Sequence, residues 1–366
     1  MLERSASEDQ IARLRLIRSD NIGPVTYFQL LARFGSAGAA LDAIPDLAAR
    51  GGGRAPKLVA RGVVEQEIEA VAALGARYLF LGQGLYPPLL AELETAPPAL
   101  IVKGHLSLLE KPAIAMVGAR NASAAACRFA RQLARQVGEA GAVIVSGLAR
   151  GIDTAAHDGA LESGTIAIIA GGIDVAYPPE HADRQQAITE RGLLIAEQPP
   201  GVEPRARHFP YRNRIIAGLA HGTVVIEAAP KSGSLITARY ATEFGRDVMA
   251  VPGSPLDPRA QGCNQLIREG AILVQNADDV METISPFKLR PLAQKRLDYA
   301  APAAVADASE AERSAVLDLL SPTPVPVDEV LRQSGLAPAA VQMVLLELEL
   351  AGRLERHAGG RVSLIG

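Results

Sequence analysis

The stretch AIAMVGARNASAAACRFARQLARQVGEAGAVIVS (113–146) contains a complete strand, helix and strand pattern. Two short apolar runs, AIAMV and VIVS, enclose a segment in which apolar residues recur at helical spacing. Near-continuous apolar strands are typical of a parallel sheet covered on both faces, and such strands are joined by a helical crossover. The stretch therefore predicts a βαβ unit with a helix from about Ser123 to Ala140.

The same alternation continues towards the C-terminus. Five further apolar runs each precede a helical pattern: IAIIA (166–170), LLIAE (193–197), TVVIEA (223–228), VMAV (248–251) and ILVQ (272–275). We therefore expect an α/β fold with a doubly wound, mostly parallel Rossmann-like sheet. Ligands of such sheets bind beyond the carboxyl ends of the strands, so the segments that follow the strands are the first candidates for a site.

The flanking segments have a different character. Residues 1–75 predict small helices with an Ile-Gly-Pro turn, typical of a SAM-like or helix-hairpin-helix domain, although a packing or protein-contact role fits equally well. Residues 76–288 form the predicted Rossmann-like domain, with a Pro-rich lead-in at 76–112. Residues 289–310 have the composition of a linker, and residues 311–366 predict three helices and a hairpin, the winged-helix order.

The helix expected at 337–351 occupies the place of a recognition helix in that order. It carries Glu347 and Glu349 and contains no Lys or Arg. Binding in a DNA groove requires positive charge, so this helix favours a contact with protein over a contact with duplex DNA.

Composition sets limits on the function. The chain has 366 residues, 48% of them hydrophobic, and a formal net charge of −3, so any site for a polyanion must be local. Its two cysteines are too few for a disulfide framework and lack zinc-site spacing. No signal peptide pattern or membrane-length apolar run is present. We expect a cytoplasmic protein that has no membrane contact, no metal and no cofactor.

Positive charge is concentrated in and before HFPYRNRIIAGL (208–219). From Glu203 to His221 there are four arginines, one glutamate, no aspartate and no lysine. Arginines beside aromatic rings, in the turn expected after the fourth strand, suit a polyanion with stackable faces such as single-stranded DNA. A solvated basic loop anchored by an aromatic residue is the alternative. Ile215 and Ile216 are expected to anchor the following helix in the core.

Other predicted strand-to-helix turns also combine cations with small residues. Small residues let backbone N–H groups approach a phosphate, and Arg or Lys neutralises it. In three of these turns the candidate residues are Arg120 after the first strand, Ser146, Gly147, Arg150 and Gly151 after the second, and Lys231, Ser232, Gly233 and Ser234 after the fifth. Together they predict a basic rim along one edge of the sheet.

Common catalytic motifs are absent from the sequence. It contains no Walker A loop, no HExxH and no GxSxG, and the turn after the first strand lacks the glycines of a dinucleotide fingerprint. Glu227 is placed like a catalytic base, but a role in orienting the arginines is the better interpretation. His157, four residues after Asp153, fits a cap or a solvated pair better than a catalytic dyad.

Several motifs resemble those of the DprA/Smf family of DNA-processing proteins in order and spacing, over about 113–285. They are SGLARGID (146–153), FPYRNRIIAGLA (209–220), SGSLITA (232–238), AVPG (250–253) and GCNQLI (262–267). The resemblance implies a non-enzymatic protein that binds and protects single-stranded DNA, helps to displace single-strand-binding protein, and loads the RecA recombinase in natural transformation. It also implies a homodimer formed through the Rossmann-like domain.

The resemblance also assigns roles to residues. The DNA-contacting positions are Arg120, Phe209, Arg212, Asn213 and Arg214, and the small residues of the second and fifth turns complete a phosphate cradle. We expect Arg212 and Arg214 to hold phosphates, and Phe209 or Asn213 to meet a base.

Two other functions are compatible with the same sheet. One is a nucleotide-cleaving enzyme similar to the lysine-decarboxylase-like (LOG) phosphoribohydrolases, with Glu227 as the base, although AAPKSGSL stands where that family has PGGxGT. The other is a structural adaptor without affinity for nucleic acid.

Overall fold

The computed structural model describes residues 7–288, 307–357 and 359–365, and only the backbone of 285–288. The chain forms two compact units. Unit 1 comprises residues 1–68 and 297–366, and unit 2 comprises residues 69–296. The predicted linker lies outside the described residues up to 306.

The helices follow the predicted periodicity closely. In chain order they are α1 Glu8–Arg18, α2 Pro24–Phe34, α3 Ala37–Arg50, α4 Arg61–Ala73, α5 Pro88–Ala91, α6 Ala124–Glu139, α7 Ile152–Ala160, α8 Ala182–Arg191, α9 His208–Leu219, α10 Ser234–Glu243, α11 Gln261–Arg268, α12 Ala277–Lys288, α13 Glu310–Leu317, α14 Val327–Ser334 and α15 Pro338–Leu350. The helix after the first parallel strand, α6, begins after Ser123, whose side chain accepts a hydrogen bond from the Ala126 N–H. None of the helices in the described ranges has both the length and the apolarity to cross a membrane.

The strands form a large sheet in unit 2 and a small one in unit 1. Their bounds are β1 Arg77–Phe80, β2 Ala99–Gly104, β3 Ala113–Gly118, β4 Val143–Ser146, β5 Thr165–Gly172, β6 Leu193–Gln198, β7 Gly222–Ile226, β8 Asp247–Ala250, β9 Ile272–Leu273, β10 Val325–Pro326, β11 Leu354–His357 and β12 Arg361–Leu364. Within the described residues, the order in the large sheet is β1-β2-β6-β5-β4-β3-β7-β8-β9.

The predicted mostly parallel sheet is confirmed. All neighbours from β6 to β9 pair in parallel, and β3 and β4 are buried along almost their whole length because helices cover both faces. The chain leaves β3 towards β4 on one side and reaches β7 on the other. The carboxyl ends of β3, β4 and β7 therefore surround the switch point where ligands of this fold bind.

The lead-in segment differs from its interpretation as a domain crossing. The segment 99–104 forms β2, which pairs antiparallel with both β1 and β6 inside the large sheet. Its first four residues, Ala99 to Val102, are buried, so the apolar run is a sheet strand and the prolines at 97 and 98 only precede it. The reading of YLFLG as a strand is confirmed by β1.

In unit 1 the N-terminal and C-terminal modules share one core, whereas the sequence pattern predicts two separate domains. Helix α15 packs against α3, and buried leucines, isoleucines and valines from both modules form a single cluster. Gly51 shows how close the packing is, because an added Cβ would lie 2.2 Å from the Glu347 carbonyl oxygen. The physical reason is that the apolar faces of the short helices are too large for either module to cover alone.

Two glutamates of α15 are therefore not available as surface charges. Glu347 is fully buried, and its Oε2 lies 2.8 Å from Arg313 Nε. Glu349 accepts a hydrogen bond from Arg356 Nε at 2.8 Å. Glu347 and Glu349 thus form ion pairs inside unit 1 and do not make the surface of α15 acidic.

Candidate functional site

A groove with two lobes lies at the carboxyl ends of the central strands of unit 2. The small lobe has a volume of about 440 Å³ and includes Gly147, Arg150 and Tyr177. The large lobe has a volume of about 780 Å³ and includes Asn213, the Lys231–Ser234 segment and Arg259. Both lobes are lined by Arg120, Phe209 and Arg212, together with Asn121 and Ala149, and the first three side chains are called the ridge below. The groove thus brings together most of the residues that the sequence singled out.

The stretch 208–214 forms the first two turns of helix α9, and not the turn that was expected. Pro210 is compatible with this because the first turn of a helix does not need its N–H. Helical spacing then places Phe209, Arg212 and Asn213 on one face, towards the groove. Arg214, two residues beyond Arg212, faces about 200° away from it around the helix axis.

Arg214 is consequently separated from the other predicted residues. It is buried, its Nη2 donates to Glu197 Oε1 at 2.6 Å, and its Nη1 donates to the Thr95 carbonyl oxygen at 2.7 Å. Its donors are used inside the protein, and it lines neither lobe.

Two further candidate residues have structural roles beneath the groove lining. The Ser146 hydroxyl is buried and donates to the Met116 carbonyl oxygen at 2.6 Å, so it ties β4 to β3. Gly151 has a φ of 76° at the start of α7, and a Cβ there would lie 2.2 Å from the Ala119 carbonyl oxygen. Glycine is required at this position for the close approach of two loops.

The ridge and the adjoining wall of the small lobe carry a cluster of aromatic and cationic groups. The Arg120 guanidinium lies 5.1 Å from the centre of the Phe209 ring. The Tyr177 ring lies 5.6 Å from the Phe209 ring at an interplanar angle of 54°, and Tyr177 is 47% exposed. Tyr177 was not among the predicted site residues, although its position after the third predicted strand is a signal in the sequence. Exposed aromatic faces beside arginine suit stacking of nucleic-acid bases.

Arg212 is the most unusual residue of the groove. It is only 6% exposed, and no group in the described residues accepts a hydrogen bond from it. Its closest charged partner is Asp153, with 4.0 Å between Arg212 Nη1 and Asp153 Oδ2. Burial lowers the Arg212 pKa to about 10, with Asp153 opposing this shift and Arg120 adding to it. A buried guanidinium without hydrogen bonds is unfavourable unless a ligand completes its contacts.

The second turn is organised by Asp153 and His157 independently. Asp153 Oδ2 accepts the N–H of Gly147 at 3.1 Å, and burial raises its pKa against the opposing effect of Arg212. His157 Nε2 accepts the Leu148 N–H at 3.3 Å, while its Nδ1 lies 2.8 Å from Thr165 Oγ1. Burial lowers the pKa of His157 to about 3, so the ring is neutral. The Asp153–His157 spacing therefore produces neither a dyad nor a solvated pair.

The fifth turn contributes the N-terminus of α10 to the large lobe. Ser232 Oγ lies 2.7 Å from Ser234 Oγ, and Asn213 Nδ2 donates to the Gly233 carbonyl oxygen at 3.4 Å. Lys231 is exposed at the same place. An N-terminus with nearby hydroxyl groups and a lysine is suited to an anion.

Arg259 also lines the large lobe and was not among the predicted site residues. Its Nη2 lies 3.0 Å from Asp257 Oδ2 and its Nε lies 3.4 Å from Glu227 Oε1. The available signal was its position in the turn after the sixth strand.

In the small lobe, exposed Arg150 is paired with Glu180, with 2.7 Å between Arg150 Nε and Glu180 Oε1.

Glu227 acts at the base of the first turn. Its carboxylate accepts the Ser123 N–H at 2.9 Å and the Ser123 hydroxyl at 2.6 Å, and it lines neither lobe. Glu227 thereby stabilises the N-terminus of α6 and contacts one arginine, Arg259. It thus orients a serine and an arginine, which agrees with the orienting role better than with that of a base.

Comparison with known proteins places the chain in a family. Its residues 77–285 match the model for DNA recombination-mediator protein A, residues 7–70 match the DprA-like N-terminal HHH domain, and residues 300–360 match the DprA winged helix domain. Protein Smf of Escherichia coli is 39% identical over 284 residues, which cover 76% of this chain and 75% of that protein. DNA processing protein DprA of Streptococcus pneumoniae is 48% identical over 198 residues, 54% of this chain and 70% of that protein.

Solved structures agree with these matches. DNA processing protein A from Streptococcus pneumoniae superposes with a TM-score of 0.64 at 36% identity, over 76% of this chain and 98% of that chain. The Helicobacter pylori protein, described as having a unique single-stranded DNA binding mode, gives a TM-score of 0.52 at 30% identity, over 57% and 95%. The chain belongs to the DprA/Smf family of DNA-processing proteins, and the predicted family and fold are confirmed.

Proposed function

We propose that this DprA/Smf-family protein binds single-stranded DNA in the two-lobed groove and carries out no reaction on it. The observation that carries the proposal is Arg212, a buried guanidinium that lines both lobes and donates no hydrogen bond to any group in the described residues. A backbone phosphate would supply both a charge partner and acceptors for it. The described binding mode of the Helicobacter pylori relative supports the same ligand class.

The layout of the groove suggests how a strand lies in it. Arg120 and Arg212 on the ridge would hold a phosphate, while Phe209 and Tyr177 would stack with a base in the small lobe. In the large lobe, Asn213, Lys231 and the N-terminus of α10 would hold the next phosphates. Phosphate contacts and stacking read no base edges, so we expect little sequence preference.

The test is a fluorescence-anisotropy titration of oligo(dT) and of a duplex at two salt concentrations. We expect the single strand to bind better and its affinity to fall with salt. The Arg212→Ala and Arg120→Ala variants should each weaken binding by about tenfold, the size of a charge-assisted hydrogen-bond contact. Arg135→Ala, which removes an exposed arginine of α6 outside both lobes, is the charge-matched control. Unaltered binding by an Arg120→Ala/Arg212→Ala double variant would overturn the proposal.

We also infer, from family membership, a cytoplasmic role in loading the RecA recombinase onto incoming DNA during natural transformation. The bound strand would be protected, and single-strand-binding protein would be displaced from it. RecA-driven strand exchange on DNA coated with single-strand-binding protein measures this activity. The wild-type protein should accelerate it, and the Arg120→Ala/Arg212→Ala variant should not.

A homodimer formed through unit 2 is a further part of the proposal. Strand β9 is an edge of the large sheet, and its two residues, Ile272 and Leu273, are 40% and 43% exposed. An edge strand with adjacent exposed apolar side chains is suited to pairing with a second copy. Leu273→Arg should shift the sedimentation coefficient to that of a monomer, whereas Val63→Arg in unit 1 should not. A monomeric wild-type protein would contradict the dimer.

A further inference from the structure

We propose that Asp153 is a positioning residue for Arg212, a role that rests on the proposed binding of single-stranded DNA. The Asp153 carboxylate holds the Arg212 guanidinium in the groove by charge alone and accepts no hydrogen bond from it. The N–H groups of Arg212 therefore stay available for a backbone phosphate of the ligand.

Asp153 is itself held firmly. It is the second residue of α7 and is 6% exposed. Its Oδ2 accepts the Gly147 N–H at 3.1 Å and lies 3.4 Å from the Ala149 nitrogen, which also donates to it. The oxygen that faces Arg212 is thus occupied by the backbone of the loop that lines the small lobe. These bonds fix the negative charge relative to the groove.

Arg212 is held without being bonded. Its guanidinium lies directly against Gly147, where an added Cβ would come within 1.3 Å of Nη1. Nη1 is 4.0 Å from Asp153 Oδ2, too far for a hydrogen bond but close enough for a strong Coulomb attraction at low dielectric. No other carboxylate in the described ranges lies within 4.0 Å of Arg212. Without Asp153, the guanidinium would be an uncompensated buried cation and would turn towards solvent.

Arg214, on the same helix, has the opposite arrangement. Its contact with Glu197 is 2.6 Å long and uses its donors inside the protein. A short ion pair like that of Arg214 would also stabilise the side chain at position 212. It would, however, leave fewer N–H donors of Arg212 for a ligand. A long pair that acts through charge alone keeps Arg212 in place and leaves its N–H donors available to bind a phosphate.

Asp153→Asn tests the proposal because the amide oxygen can still accept the Gly147 N–H while the charge is lost. We expect oligo(dT) affinity to fall about tenfold and the dependence of log K on log salt to become shallower by about one phosphate contact. In an Arg212→Ala background the same change should have little further effect, because both variants remove one contact. Tighter binding, or a wild-type salt dependence, would overturn the role, since removing a carboxylate that merely repels DNA would strengthen binding.

Asp153→Glu provides a second test that keeps the charge. The longer side chain reaches the Arg212 donors, so affinity should fall about tenfold, the size of one hydrogen bond to a charged group. Wild-type affinity in this variant would also contradict the proposal. Thermal unfolding of each variant shows whether the fold is intact. Asp158→Asn is the matched control, because Asp158 lies on the same helix, pairs with Arg184 and lines neither lobe.

The two proposals fail in different ways. If wild-type protein does not bind oligo(dT), the proposed function is wrong. If wild-type protein binds and loses affinity on Arg212→Ala, but both Asp153 variants bind normally, only the role of Asp153 is wrong.

Discussion

Arg214 Nη2 donates a hydrogen bond to Glu197 Oε1 at 2.6 Å, only two residues along α9 from Arg212, which donates no hydrogen bond to any described residue. The two arginines of one short motif thus face different environments. Arg214 joins α9 to the end of β6 and to the segment containing Thr95, whereas Arg212 faces the groove.

Arg214→Ala is expected to lower the free energy of unfolding by about 3 kcal/mol, because it leaves the Glu197 carboxylate and the Thr95 carbonyl without their donor. Denaturant unfolding measures the loss. Arg239→Ala, which removes an exposed arginine of α10, should change stability by less than about 0.5 kcal/mol. A stable Arg214→Ala protein with weakened DNA binding would instead return Arg214 to a phosphate-binding role.

Glu180→Gln is expected to strengthen binding of oligo(dT) about threefold. Glu180 is paired with Arg150 at the rim of the small lobe, and both side chains are at least half exposed. Exposed pairs of this kind are weak, so Arg150 exchanges to a phosphate easily once the competing charge is gone. Titration by fluorescence anisotropy measures the gain. Glu162→Gln, at an exposed pair with Arg191 outside both lobes, should have no effect, and equal gains in both variants would refute the local explanation.

Gly147→Ala is expected to reduce oligo(dT) affinity about tenfold, as loss of the Arg212 contact would. The added methyl group would lie 1.3 Å from Arg212 Nη1, so the guanidinium must move away from its position against residue 147. Gly62→Ala in α4 is the control, since that position lies outside both lobes and has no atom within 4 Å of the added carbon. Fluorescence-anisotropy titration with oligo(dT) measures the affinity of both variants. Normal affinity in Gly147→Ala would show that DNA binding does not depend on the position of Arg212.

Acid pH is expected to destabilise the protein through His157. Burial lowers the pKa of His157 to about 3 in the folded state, against about 6.5 in the unfolded chain. The unfolded state therefore binds the proton first, and stability falls as pH decreases from about 6.5 towards 3, by about 1.4 kcal/mol per pH unit.

The measurement is the free energy of unfolding of wild type and His157→Gln between pH 7 and 4. Burial also lowers the pKa of His208 and His221, so the difference between the two proteins isolates His157. The variant should have a lower stability at pH 7 and a shallower decline. Parallel curves for the two proteins would contradict the prediction.

Much of the large sheet was predictable because its strands are buried on both faces and its helices on one. In such segments the spacing of apolar residues indicates which faces are buried, as β3, α6 and β4 illustrate. Strand β2 was missed because prolines precede it and because an antiparallel neighbour at 193–198 leaves no local signal. The shared core of unit 1 was missed for the same reason, since no local pattern reports which apolar faces meet.

The sequence by itself determined the class of fold, the edge of the sheet where a ligand would bind and the family. Apolar periodicity sets the alternation of strands and helices, and the turn residues follow directly from it. Only the tertiary structure decided what each arginine does. Helical geometry turned Arg212 and Arg214 to different sides of α9. Contacts with distant segments then paired Arg214 with Glu197, whereas Arg212 lies beside Asp153 and donates no hydrogen bond within the part of the chain that the structure describes. The availability of a charged group depends on such distant contacts, and these do not appear in local sequence.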